Sequence, residues 1–523
     1  MRVVRLILDN QTVIVRHASS KTIRCLESVT SYLVAGYFHS PAYKSRRWDG
    51  REHLLTFRRG RYRAPIGLLA IIKREMESQD TPYEVKRRKQ SPPPSVEFDW
   101  NPDVILRPYQ RKAMKLFCRA PERGRGILKM PIRSGKTKTA AGIIHKLGVR
   151  AMFLVPSQML LHQTAKSLAE SLPGAKIGII GDGQWSEGDV TVATIQTLGR
   201  LRGGTKHQCK GNKLRDASGN PIDSRHEDKP AQCGRKKCAG AHRFIAKADP
   251  RYLGIIEGYG LVIFDECHHL RGDSWHGVMV DFNCRYRLGL SATVFFKDKS
   301  EQERGVIWLR ACCGEIKHEV STSRLIEKGY LMRQHVEIYK VTQPNKHDKG
   351  WSQELKNECI YENEWRNALI IKLTKEKLEK HHRNVMIVTN RKNQIHHLVD
   401  IMEKAKMDFV VLTGDDSTQA RDDRVDMFKR DRVRIILGTV FGEGIDIPEV
   451  EVVVNAEGGK DAKATIQRMR NLTPSEGKGK AVLIDFWDDT NGYFRRHSNA
   501  RVRTYQSEKA FIVQKMWMKK TLV

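Results

Sequence analysis

Several features are missing from this sequence, and each absence narrows the field. No run of about 18 uninterrupted apolar residues occurs, so a transmembrane helix is not expected. The start shows no charged segment leading into an apolar run and a small-residue cleavage site. The 523 residues hold only 10 Cys, so neither secretion nor a disulfide scaffold is expected, and a reducing, cytoplasmic compartment follows. No solenoid-type repeat is visible. Acidic residues are scarce beside basic ones: 60 Asp plus Glu against 93 Lys plus Arg leaves a formal charge of +33. Such an excess suits a polyanionic partner, because neutralising phosphates releases condensed counterions. Charge alone leaves open a basic protein with no such partner, so motifs must decide.

The length favours about three or four units, each able to bury its own core. Between Lys86 and Ser95 the run KRRKQSPPPS marks a boundary, because consecutive prolines cannot continue a helix and favour an extended, stiff connection. Upstream, in residues 1–90, VVRLILDNQTVIVRH predicts two short strands around an Asp-Asn turn and GLLAIIKREME a short helix, together a small α+β domain. Downstream, AMFLVP, YGLVIFDE, RNVMIVTN and RVRIILGT recur between helical stretches, as parallel strands buried on both faces do. The expected architecture is α/β twice over, in residues 98–325 and 326–523. A polar stretch from about Leu201 to Pro250, containing Gly, Lys and Cys, interrupts the first half and reads as an insertion.

GILKM, PIRSGKT and KTAAGIIHKL supply the strand, loop and helix that a phosphate-binding loop requires. Backbone N–H groups around Ser134 and Gly135 can cradle phosphate oxygens, Lys136 can reach the β/γ-phosphates, and the Thr137 hydroxyl can ligate Mg²⁺. Taken alone, the segment is also readable as a capped helix start without nucleotide. Met130 and Arg133 stand where the usual loop often has a small residue and a Gly, which predicts a less permissive loop at Arg133. About 130 residues later the strand-like LVIF delivers Asp265, Glu266, Cys267 and His268 at its C-terminal end, where sites of open parallel sheets form. Asp265 suits Mg²⁺, directly or through water, and Glu266 suits the water that attacks the γ-phosphate. Together the two segments imply an ATPase that uses ATP and Mg²⁺.

PIRSGKT, DECH and the SAT at Ser291 to Thr293 resemble motifs I, II and III of DEAD/DEAH-type superfamily 2 helicases, and further matches follow in order. LRPYQ, ending at Gln110, is similar to the adenine-recognising segment. LVPSQMLLHQ, with Pro156 and Ser157, resembles motif Ia, and VATIQTL, with Thr194 and Gln196, the next nucleic-acid-contact motif. In the second half VMIVTNRK resembles motif IV, LTGDDSTQAR the segment after it, GTVFGEGIDIP motif V, and QRMRN motif VI. The likeness spans about 107 to 475. It implies two RecA-like parallel-sheet lobes that alternate between closed and open states around ATP. It further implies that Ser291 and Thr293 couple the ATP site to nucleic acid and that Gly444 and Asp446 sense nucleotide from the second lobe. The regions of Pro156, Ser157, Thr194, Gln196 and Thr439 would meet the phosphate chain without reading bases. Motif VI usually carries two further arginines that meet the γ-phosphate, but Asn471 and Pro474 hold those places here. Either Arg470, displaced by one position and close to Gln467, supplies the finger in their stead, or the site lacks one and hydrolyses slowly.

In the first domain, SPAYKSRRWDGREHLLTFRRGRYRAPIGLL interleaves Arg with aromatic residues, which joins phosphate attraction to stacking. Arg46, Arg47, Trp48 and Arg51 are the candidate contacts. Trp48 with Asp49, Gly50 and Arg51 resembles the N-terminal domain of phage UvsW-type helicases, which remodel branched DNA. The resemblance implies DNA, branched or partly single-stranded, as partner, and the host cytoplasm as compartment. Trp48 is also readable as core filling and Asp49-Gly50 as a hairpin turn. An RNA helicase and an ATP-gated clamp that closes without processive unwinding stay open as alternatives. In the insertion, Cys209, Cys233, Cys238 and His242 are candidate zinc ligands, with His207 or His226 as substitutes and an unligated basic loop as the rival.

Overall fold

The computed structural model describes residues 3–34, 36–119, 124–131, 133–202, 204–209, 241–246, 248–271, 273–292, 299–331, 334–341, 352–381, 383–439, 450–460, 481–507 and 511–518. The chain divides into two compact units, Met1–Lys129 with Thr137–His318, and Glu319–Val523 with the short segment Met130–Lys136.

The first unit holds two main sheets built on different rules. The N-terminal sheet has five strands in the order Thr56–Arg58, Arg61–Pro65, Thr12–Arg16, Val4–Leu8, Tyr83–Arg87. Its pairings are antiparallel except the last, and Val4, Leu6 and Leu8 alternate inward along one strand, so one face is buried and one is wet. The strands Val4–Leu8 and Thr12–Arg16 and the helix Leu69–Ser78 fall where the hydrophobic pattern predicts them. The second sheet has eight strands, in the order Gln184–Trp185, Ile177–Gly181, Val190–Thr194, Ala151–Val155, Leu261–Phe264, Tyr286–Ser291, Arg125–Lys129, Ile316–Glu319. From Ile177–Gly181 to Arg125–Lys129 every pairing is parallel. Ala151–Val155 and Leu261–Phe264 are buried along their whole length, as strands with helices on both faces must be. Within the polar insertion, Gly204–Cys209 and Ala241–Ala246 pair as an antiparallel ladder.

The proline boundary is laid against the second sheet. Val96 N–H donates to Gly148 O and Arg150 N–H to Pro94 O, at 3.0 and 3.2 Å, and Ser95 bridges Val149. The N-terminal core also continues into the helix Lys299–Cys313: Ile307 and Ala311 belong to the same buried cluster as Leu6, Leu26 and Ile72, with Trp308 packed against it. Gly67 marks how close the approach is, since a Cβ there would lie 2.0 Å from Arg310 O. Gln11 Nε2 adds a bond to Asp281 O at 2.6 Å.

The second unit is built on a seven-stranded sheet, in the order Val410–Leu412, Ile435–Gly438, Val385–Val388, Val452–Asn455, Ala481–Asp488, Gln334–Val341, Phe511–Lys515, with every pairing parallel. Both faces are covered. Along Val385–Val388, Met386 and Val388 enter one core cluster while Val385 and Ile387 enter the other, the period of two that a strand imposes. Among the described residues no helix is long and apolar enough to cross a membrane.

Candidate ATPase and nucleic-acid site

Lys136 and Thr137 open the helix Lys136–Leu147, which follows the strand Arg125–Lys129 through a tight loop. Ser134 closes that loop, its N–H and its hydroxyl both donating to Pro131 O at 3.2 and 2.6 Å. Gly135 has φ +74° directly before the helix, a backbone form in which N–H groups converge on an anion. Arg133 has φ +60°, so the place where the usual loop carries Gly is a left-handed position here too. A residue with a Cβ occupies it at a cost of about 1 kcal/mol.

Asp265 and Glu266 follow the strand Leu261–Phe264 and are 7% and 3% exposed. Burial of two adjacent carboxyls is expensive unless they are bonded. Asp265 Oδ1 accepts the Glu266 N–H at 2.9 Å, and Glu266 itself sits at φ +47°. His268 Nδ1 lies 3.2 Å from Glu266 Oε2 and 3.1 Å from Ser291 Oγ. The histidine therefore joins the DECH turn to the end of the neighbouring strand Tyr286–Ser291. Sequence reasoning named His268 within the motif but gave it no role, because its partners are defined only by the pairing of the two strands.

The nucleic-acid candidates of the first lobe sit on the C-terminal edge of the same sheet. Pro156 and Ser157 follow Ala151–Val155, and Thr194 and Gln196 end the adjacent strand Val190–Thr194 and begin the next helix. Gln196 Nε2 donates to Pro156 O at 2.5 Å, and Ser157 Oγ caps the helix Gln158–Ser171 by accepting Leu160 N–H at 3.4 Å. Thr194 Oγ1 lies 2.8 Å from Thr197 Oγ1. Gln110 is buried, and its Oε1 accepts Arg107 N–H at 2.7 Å, so part of the adenine candidate caps its own helix. In the second unit, Thr439 follows Ile435–Gly438 and donates its N–H to Leu412 O at 3.1 Å.

The N-terminal candidates divide. Arg51 turns inward, its Nε donating to Ser31 Oγ at 2.8 Å and its Nη2 to Ser31 O at 3.2 Å, and so ties together the ladder Ser31–Leu33 with Arg51–His53. Trp48 is half-buried, with Nε1 donating to Arg51 O at 2.8 Å. Arg46 and Arg47 are exposed. Beside them stand two exposed aromatics, Tyr43, which belongs to the Arg-aromatic run without being singled out in it, and Phe38, which precedes the run and is marked by no motif.

Thr293, Gly444, Asp446, Gln467 and Arg470 lie outside the described residues, as do Cys233 and Cys238. Cys209 and His242 stand on neighbouring rungs of the insertion ladder, at Cys209↔Ala241 and Gln208↔His242.

Residues 103–296 match the family described as Type III restriction enzyme, res subunit, and residues 365–470 match the helicase conserved C-terminal domain. The two matches fall in order on the two parallel sheets. The chain is a superfamily 2 helicase. Among its relatives, the DNA 3'-5' translocase XPB2 of Sulfurisphaera tokodaii is 22% identical over 417 residues, covering 73% of this chain and 81% of that protein. The ATP-dependent DNA helicase uvsW of Enterobacteria phage T4 is 20% identical over 543 residues, covering 94% of this chain and 95% of that one. Among solved structures, S. cerevisiae Dbp5 bound to RNA and ADP BeF3 shares the fold, with a TM-score of 0.50 at 17% identity over 86% of this chain and 93% of that one. The helicase hydrolyses ATP.

One feature of the helicase's second lobe was invisible in the sequence. Arg366 and Arg501 are 0% and 1% exposed, each paired with a carboxylate from the second half of the strand Ala481–Asp488. Arg366 Nε bonds Asp488 Oδ1 at 2.8 Å and its Nη1 bonds Ala456 O at 2.7 Å. Arg501 Nε bonds Asp485 Oδ2 at 2.9 Å, and its other nitrogens reach Gly459 O and Phe486 O. Burial works against the Arg501 charge, but Asp485 and Asp488 outweigh it and hold the guanidinium firmly protonated. Both arginines thereby fix the segment Ala456 to Gly459, which leads in sequence toward motif VI.

Proposed function

We propose that this helicase is an ATP-driven DNA motor that unwinds or branch-migrates DNA in recombination, repair or replication restart. Residues 98–325 and 326–523 serve as its two motor lobes, and residues 1–90 as a DNA-engaging module. The observation that carries the ATP site is the buried Asp265-Glu266 pair, ended in a left-handed turn and tied through His268 to Ser291. Buried carboxylates and a backbone outlier held together at a strand end point to chemistry rather than to a solvated turn.

The residues fit the nucleotide. The left-handed Gly135 before a helix N-terminus suits phosphate oxygens, Lys136 the β/γ-phosphates, and Thr137 with Asp265 a hard divalent cation. Mg²⁺, when bound, neutralises charge that develops on the β- and γ-oxygens. Glu266 orients the attacking water and takes its proton, and His268 transmits the state of Glu266 to Ser291. The edge residues Pro156, Ser157, Thr194 and Gln196 and, on the second lobe, Thr439 meet the phosphate chain through backbone and short hydroxyl groups. DNA is favoured over RNA by the T4 uvsW likeness, which runs nearly end to end and so takes in the N-terminal module.

Lys136→Ala and Glu266→Gln are each expected to lower nucleic-acid-stimulated ATP turnover by on the order of a hundredfold or more while the fold persists. Near-normal turnover in either folded variant rejects the site. DNA and RNA of matched length, compared as stimulators, decide the polymer. Strand-displacement and translocation assays on forked and four-way DNA decide against a clamp, which would retain ATP-dependent binding without either output.

A further inference from the structure

Between Phe38 and Asp49 the N-terminal module folds into a cavity of about 520 Å³, within the range of small-ligand sites. Its walls combine two kinds of group. Phe38 and Tyr43 are 55% and 36% exposed, while Trp48 forms a half-buried side. Lys44, Arg46 and Arg47 supply three cationic heads, and among the described residues none has an ion-pair or hydrogen-bond partner.

The aromatic wall is held in place. Tyr37 meets Phe38 edge-on at 5.7 Å and Tyr43 edge-on at 4.7 Å. Trp48 is fixed by its bond to Arg51 O. Gly50, at φ +78°, admits the Tyr37 ring where a Cβ would lie 2.7 Å from it. Arg46 is held at φ +56°. The acidic wall residue, Asp49, is already engaged, accepting Arg51 N–H at 3.0 Å and lying 2.8 Å from His53 Nε2. Burial opposes its charge, but these bonds outweigh it and keep the carboxyl below its usual range.

We propose that this cavity seats one unpaired base of a DNA strand against Phe38 and Tyr43, with the flanking phosphates on Lys44, Arg46 and Arg47. A fully paired duplex hides its base faces and offers only phosphates, so it would leave the exposed rings unused. A strand with an unstacked base uses both halves of the cavity, stacking and charge together. The module thereby distinguishes DNA containing unpaired nucleotides from continuous duplex without reading sequence. The proposal rests on the reading of residues 1–90 as DNA-engaging and adds to it the part of the DNA that is held.

The test uses the full chain and forked DNA carrying 2-aminopurine at successive unpaired positions, with a duplex of equal length as comparator. In the native chain, fluorescence of one position is expected to be quenched on binding by stacking. Phe38→Ala with Tyr43→Ala should abolish that quenching and weaken fork affinity by on the order of tenfold, with the loss confined to substrates that have unpaired nucleotides. Arg46→Ala with Arg47→Ala should instead weaken fork and duplex alike and lower the salt slope by about 2. Both ring positions are exposed, so unchanged thermal unfolding is the check on folding. Quenching that survives the ring substitutions, or equal loss on duplex, overturns the base pocket. If the arginine variant weakens binding while the ring variant does not, DNA engagement stands and the pocket fails. If neither variant changes binding, both fail. Displacement of the DNA by free deoxymononucleotide at micromolar concentration would make the cavity a nucleotide site and overturn the assignment to a strand.

Discussion

Replacing Arg501 with Met removes the charge while keeping most of the side-chain bulk. Arg501 reaches five acceptors, Asp485, Gly459, Phe486 and Ser498 by hydrogen bond and Asp488 at 3.6 Å by charge. Asp485 is 1% exposed and keeps three other donors, Tyr505 Oη at 2.8 Å, Asn455 Nδ2 at 3.2 Å and Phe486 N–H at 2.7 Å. Asp488 keeps Arg366. A carboxylate deprived of its buried cation costs about 3–5 kcal/mol. The surviving donors place the expected loss near the lower end of that range. For a unit of roughly 200 residues this corresponds to a fall in melting temperature of roughly 6–12 °C. Calorimetry of the full chain should show this shift in one transition while the other stays put, because the substitution leaves the first unit untouched. Arg501→Met with Asp485→Leu should recover much of the loss, since an apolar replacement of both partners is often neutral. A loss under 1 kcal/mol in the single variant, or no recovery in the double, would refute the reasoning.

Burial pushes His276 down to about 3, aided by Arg202 and Arg304, so the folded chain excludes a proton that the unfolded chain binds below about 6.5. Stability should therefore fall as pH drops from 6.5 toward 3, by up to about 1.4 kcal/mol per unit, and His276→Phe, which keeps a ring against Trp308, should flatten that limb in acid denaturation. An unchanged limb contradicts the assignment. Arg470→Ala is expected to slow saturated ATP turnover by on the order of a thousandfold while Arg468→Ala costs little, with ATP affinity measured separately. Near-normal turnover in Arg470→Ala ends the displaced-finger idea. Metal analysis of protein purified without chelators tests zinc at Cys209, Cys233, Cys238 and His242: about one equivalent is expected for a four-ligand site, and its absence rejects it.

The strands that carry motifs were legible because full burial makes them uninterrupted apolar runs, and LVIF and AMFLV fall where the pattern places them. The edge positions of Pro156, Thr194 and Asp265 follow from strand ends and were legible too. His268 was not, since its link to Ser291 spans 23 residues and depends on which strands are neighbours. Arg366 and Arg501 read as ordinary solvated charges on helices; Asp488 lies 122 residues from Arg366, and nothing local announces that the pair is dry. The run KRRKQSPPPS signals a connection, but the bonds of Pro94 and Val96 beside the second sheet are tertiary and leave no trace in composition. Phe38 carries no mark of its position, and Tyr43 does not stand out within the Arg-aromatic run, because an exposed aromatic and a core aromatic look alike in a sequence.

The seating of the N-terminal sheet on the helix Lys299–Cys313 bears on how this protein could change over generations. Only glycine fits at position 67 with the Arg310 backbone so near, and Ile307 and Ala311 are buried in the core that the N-terminal sheet shares with this helix. A recombination event at the prolines would hand the motor a foreign head with no matching footprint and leave a greasy scar on its flank. Substitutions on the two sides of this seam should therefore be coupled, each tolerated only as far as the packing opposite allows.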